Sequence, residues 1–134
     1  MKSLTAFAFV ILLAACGAHS SDEQQVRALI ASAESAAEER DASDVLESVA
    51  DDYEDTNGFD KSQLRNFLRA WFLAHPKVEL LVNIEKLEFP AEGLAQAEVS
   101  VTNLTLDAER VRLKLEFRRH DGDWRVVRAD RMDR

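Results

Sequence analysis

An α+β domain, with three helices packed on a curved four-stranded antiparallel sheet, is the architecture this sequence predicts. Two observations point to it. Apolar residues between about positions 22 and 75 recur at steps of three, four and seven, whereas from Val78 onward they recur at two. The order, helices first and strands after, suits a helical layer on one face of a meander and not alternating crossover units. With 134 residues there is room for one core and no second domain.

Helix one is predicted from the capping-box spacing of Ser21-Asp22-Glu23-Gln24, behind which Val26, Leu29, Ile30, Ala33, Ala36 and Ala37 share one face as far as about Arg40. Asp41 is placed to cap a shorter second helix carrying Val45, Leu46 and Val49, with Tyr53 continuing the stripe until Asp55-Thr56-Asn57-Gly58 breaks it. The third helix has the clearest start: Asp60 as N-cap, Gln63 three residues on, and Phe59 and Leu64 spaced as a hydrophobic staple. Its apolar face is Leu64, Phe67, Leu68, Trp71 and Phe72, and His75-Pro76 ends it because the residue before proline is steered out of the helical region.

In strand one Val78, Leu80, Val82 and Ile84 alternate, then the phase slips to Leu87 and Phe89, which predicts a bulge near Glu85 and Lys86. Pro90-Ala91-Glu92-Gly93 turns the chain into a strand with Ala95, Ala97, Val99 and Val101 on one face, and a further slip precedes Leu104 and Leu106. Strand three is the cleanest, with Val111, Leu113, Leu115 and Phe117 opposed to Arg110, Arg112, Lys114, Glu116 and Arg118: one side core, one side wet. His120-Asp121-Gly122-Asp123 makes the last hairpin turn, and the final strand runs from Trp124 to Met132.

The single cysteine, Cys16, excludes an internal disulfide. Ahead of it stand Lys2 and an uncharged, mostly apolar run from Leu4 to Ala15, the pattern of a secretory signal and too short to span a bilayer. Leu13-Ala14-Ala15-Cys16 resembles the bacterial lipobox. The resemblance implies a signal peptide at 1–15, a lipidated tether at 16–21 and a domain at 22–134, with Cys16 acylated; the alternative is ordinary cleavage, for example after Ala18, and a soluble periplasmic product. Several acyl chains would hold the protein permanently at a membrane, and Gly17 after the cysteine favours the outer one by similarity to the lipoprotein sorting rule. Loss of Lys2 would take the net charge from −8 to −9, and so acidic a chain is not expected to bind nucleic acid.

The element order, closed by Asp121-Gly122-Asp123-Trp124-Arg125-Val126-Val127-Arg128-Ala129, resembles the nuclear transport factor 2-like superfamily, relatives of ketosteroid isomerase and the polyketide cyclases, over residues 22–132. The resemblance implies a cone with a pocket between the helices and the concave sheet, and in many members association through the sheet's outer face. Ketosteroid-isomerase-like members abstract a proton with a pocket aspartate while a tyrosine and a protonated acid hold the oxyanion. This chain departs from that: helix one has no tyrosine, and neither Asp52 nor Asp55 aligns with the base. The run Asp51-Asp52-Tyr53-Glu54-Asp55 is therefore read as a solvated helix end, with Tyr53 in the core. A non-catalytic binding or scaffold module is expected, for a small apolar or anionic ligand or for an envelope protein. The alternative is an isomerase or cyclase using a pocket carboxylate as general base.

No cofactor is expected, since there is no phosphate-cradling glycine loop and no nucleophile elbow. No metal is expected either: His19, His75 and His120 fall in the tether, a helix end and a turn. Candidate pocket residues are Tyr53, Trp71, His75, Asn103 and Arg128. In the last strand Trp124, Val126, Arg128, Asp130 and Met132 share a face, which turns Arg128 toward the pocket, where it needs Asp130, a helix carboxylate or an anionic ligand as partner. The stripe Arg110, Arg112, Lys114 and Arg118 is the candidate interface, either for a second protomer or an envelope partner, or else neutralised across strands by Glu79, Glu85 or Glu98.

Overall fold

The computed structural model describes residues 18–132, and Cys16 with its predicted signal lies outside them. Three helices form one layer: α1 (Ala18–Glu38), α2 (Ala42–Glu47) and α3 (Lys61–Ala74). The first helix begins ahead of the Ser21 cap predicted for it and buries Val26 and Ile30 against the sheet. It closes with Arg40 in the left-handed region (φ 60), which lets Arg40 N–H reach the Ala37 carbonyl and Asp41 N–H the Ala36 carbonyl, both at 3.0 Å. Asp41 then caps α2 by accepting from Asp44 N–H at 3.0 Å, as its position in the sequence predicts. The capping box at Asp60 and Gln63 forms with both reciprocal hydrogen bonds at 2.9 Å.

Four strands, β1 (Leu80–Ala91), β2 (Leu94–Asn103), β3 (Glu109–His120) and β4 (Asp123–Arg131), make an antiparallel meander in sequence order. The predicted bulge is present: the β1–β2 register passes from Ile84 opposite Val99 to Lys86 opposite Glu98, leaving Glu85 unpaired. The slip expected before Leu104 is instead the end of β2, after which Asp107 and Ala108 take positive φ in the turn to β3.

A second bulge, unpredicted, changes the reading of the last strand. Glu116 pairs with Arg128 but Phe117 pairs with Val126, so Val127 is the extra residue. Before it Trp124 and Val126 face the helices; after it Ala129 and Arg131 do, opposite Leu115 and Leu113.

The core joins α1 to the concave face through Val26, Ile30, Ala95, Ala97, Val99, Phe117 and Trp124. Both edges of the sheet are occupied. Along β1, Glu38 of α1 accepts from Leu80 N–H at 3.2 Å, and Glu34 one turn earlier has its carboxylate influenced by the Val82 backbone. Along β4, Ser48 carbonyl accepts from Val126 N–H at 2.8 Å, and Ala50 N–H donates to the Val126 carbonyl at 2.9 Å. The extended chain after α2 thus covers the edge, so Tyr53 lies on this loop and not on the helix expected to carry it. Together these elements give the predicted cone of helices on a curved sheet.

Candidate functional site

Small residues on α1 leave space above the concave sheet. Ala33 and Ala37 sit where larger side chains would meet Val82, Val99 and Leu113, and the result is an apolar chamber of about 250 Å³. Leu29, Ile30, Leu64, Leu68, Leu115 and Val126 complete most of its wall. Ala37, Leu68, Leu80, Val101, Leu113 and Ala129 also line an outer chamber of about 500 Å³, which adds Trp71, Asn57, Asn103, Glu109 and Arg131. The cavity is therefore apolar inside and polar toward its mouth, where the β2–β3 turn and the start of β1 meet α3.

Of the candidate pocket residues, Tyr53, Trp71 and Asn103 line the cavity and two do not. Tyr53 is 2 % exposed, and its hydroxyl is committed, donating to Asp55 Oδ2 at 2.7 Å. Burial, reinforced by that carboxylate, pushes the phenol well above its ordinary pKa. Asp55 is buried and not part of a solvated helix end: its other oxygen accepts from Asn57 and Phe59 N–H at 2.9 and 3.1 Å and shapes the loop. The rest of the acidic run disperses, Asp51 to Lys61 at 3.1 Å and Asp52 to Arg118 at 2.7 Å.

His75 stacks on Trp71 with ring centroids 4.0 Å apart, and its Nδ1 lies 2.7 Å from the Trp71 carbonyl, outside the cavity lining. Arg128 points away from the cavity, contrary to the simple alternation, because the Val127 bulge reverses the phase. Its partner is the Asp130 carboxylate, also on the outer face. Asp130 accepts from Thr56 N–H at 3.0 Å and Thr56 Oγ1 at 2.8 Å as well. Burial would raise its pKa, but the Thr56 and Arg128 hydrogen bonds outweigh burial and hold it below the usual range. Arg131 takes the inward position instead.

The three arginines of the stripe are paired with carboxylates of the same chain. Glu85, the bulged residue of β1, receives Arg110 at 2.8 Å and Arg112 at 3.1 Å, while Arg118 holds Asp52. Lys114 is exposed. Among the described residues no group of histidines, cysteines and acids has the geometry to hold a metal ion.

Sequence reasoning passed over Glu34, which lines the inner chamber between α1 and β1. Partial burial, with Glu38 one turn away, raises its carboxyl pKa against the opposing influence of the Val82 backbone. The available signal was its place between Ala33 and Ala37 on the apolar stripe.

No family model matches the sequence, and no curated protein matches it. Solved structures do. A nuclear transport factor 2-like protein of unknown function from Pseudomonas putida KT2440 is 21 % identical, with TM-score 0.68 over 88 % of this chain and 90 % of that one. Another from Shewanella baltica OS155 has TM-score 0.71 at 12 % identity over 89 % of this chain and all (100 %) of that one. A cystatin-like domain of unknown function from Nostoc punctiforme PCC 73102 has TM-score 0.73 at 13 % identity, covering 87 % and 80 %. Element order, edge-covered meander and these likenesses converge on one conclusion: the chain has the nuclear transport factor 2-like fold.

Proposed function

We propose that this protein is a membrane-anchored, periplasm-facing lipoprotein of the bacterial outer membrane whose domain binds a small, largely apolar molecule. The observation that carries the binding reading is the two-part cavity: an inner chamber walled by aliphatic side chains opening into an outer one with polar groups at its mouth. The anchor rests on Leu13-Ala14-Ala15-Cys16 and the apolar run ahead of it. Recognition of an envelope protein or a second copy by the arginine stripe is the weaker reading, since Arg110, Arg112 and Arg118 already hold carboxylates of their own chain.

Glu34 favours a second reading, proton transfer by a pocket carboxylate, because a raised pKa suits a general base. It ranks below binding because the Tyr53 hydroxyl, the donor best buried in the chamber, is already committed to Asp55.

Native mass spectrometry of the Cys16→Ser chain, exported and gently purified, is the deciding experiment. A retained small molecule in the wild-type domain, absent from an Ala37→Trp variant that plugs the junction of the chambers, is the expected result. Equal retention in both would place the molecule elsewhere, and a bare domain that also takes up no apolar probe would end the binding reading. Incorporation of radiolabelled palmitate into the wild-type chain and not into Cys16→Ser tests the anchor. If a retained molecule is converted, loss of turnover in Glu34→Gln would promote the enzymatic reading.

A further inference from the structure

Asn103 ends β2 on its inward face, is 9 % exposed and lines the outer chamber. Its Oδ1 accepts from Thr105 N–H at 3.0 Å and from Thr105 Oγ1 at 2.6 Å. Because a backbone N–H can only donate, this fixes which end of the amide is oxygen. Nδ2 is then the other end. No protein acceptor meets it among the described residues, and it is not a sealed, unsatisfied atom. A side chain held rigidly through its oxygen, with two uncommitted protons beside an apolar chamber, is a preorganised donor.

The charge around it selects among acceptors. Glu109 is the cross-strand partner of Asn103 and lines the same chamber. Arg131 lies opposite Leu113, four residues further along β3 than Glu109, or about 13 Å at the usual strand rise. A carboxylate on Asn103 would therefore sit beside a like charge on the neighbouring strand, while Arg131 joins the lining from a backbone position further along the sheet.

We propose that the Asn103 amide nitrogen is the polar anchor of the cavity, and that the molecule it selects is an apolar ring or short chain bearing an uncharged carbonyl oxygen. The inference rests on the cavity being a binding site. The apolar body would lie toward Leu68, Val101 and Leu113, with the carbonyl at the mouth, and no covalent step is involved.

Three probes with one body test it: naphthalene, 2-acetylnaphthalene and 2-naphthoate, with dissociation constants measured by ligand-observed NMR. On the wild-type domain the acetyl compound is expected to bind about 2- to 10-fold tighter than naphthalene, the range of one net hydrogen bond, and the carboxylate no tighter than naphthalene. Asn103→Asp keeps the oxygen that holds Thr105 and removes the donor, so the acetyl advantage should vanish while naphthalene binding persists. An advantage absent from wild type, or surviving in Asn103→Asp, overturns the anchor and leaves the cavity reading standing. Tightest binding of 2-naphthoate overturns the uncharged head group. Binding of none of the three overturns the cavity reading, and this inference with it. If the variant folds poorly, the wild-type comparison still tests the proposal, because an absent acetyl advantage overturns it.

Discussion

Asp130 concentrates three stabilising contacts on one carboxylate: Thr56 N–H, the Thr56 hydroxyl and the Arg128 guanidinium. They tie the loop after Tyr53 to the last strand. Its folded-state pKa lies below the ordinary aspartate value of about 3.9, so as pH falls the unfolded chain takes up the proton first. The stabilisation is complete above the ordinary value and is lost as pH drops through the lower folded one. Asp130→Asn removes the charge while keeping an oxygen for Thr56. Its melting temperature should fall less steeply than wild type between about pH 5 and 3; parallel curves would sink the assignment. Contacts of this kind are poorly legible in sequence. Nothing in the one-dimensional pattern distinguishes an outward Arg128 paired with Asp130 from an inward one, nor buried Asp55 from its solvated neighbours Asp51 and Asp52.

At the scale of elements, the bulges at Glu85 and Val127 differ in how their sequence reads, so one was foreseen and the other missed. Around Glu85 and Lys86 the apolar phase breaks visibly, because two charged residues interrupt an alternation of large aliphatics. Around Val127 it does not: Val126, Val127 and Ala129 offer an apolar residue in either phase, so the alternation reads smoothly through the slip. Caps were legible for the opposite reason. Asp41 and Asp60 each act on a residue three positions away, and local spacing is what sequence preserves. Arg40 combines both kinds. Its left-handed backbone ends α1, while its guanidinium donates to the Phe72 carbonyl at 2.9 and 3.2 Å near the end of α3. Arg40→Ala loses the bond and keeps the backbone strain; Arg40→Gly loses the bond but relieves the strain. Urea unfolding should therefore find the glycine variant about 1 kcal/mol more stable than the alanine variant. The reverse order would show that α1 does not end in this way.

Across the whole molecule, the cavity was predictable as a consequence of fold but not in its walls, because small residues such as Ala33 and Ala37 read in sequence as ordinary helix formers. The two ends of α1 are fastened differently. Near its start Asp22 accepts from Arg119 at 2.8 Å and from Trp124 Nε1 at 3.3 Å, beside the β3–β4 hairpin; at its finish Glu38 meets the start of β1, near the cavity mouth. Asp22→Ala should raise amide hydrogen exchange in the first turns of α1 and leave probe binding unchanged. A loss of binding would mean the ends are coupled. The helix's 21 residues separate those ends by about 30 Å. The chain thus enters the domain at one pole and the cavity opens at the other, so whatever is joined ahead of Ala18 can be pressed against a surface without standing in the doorway.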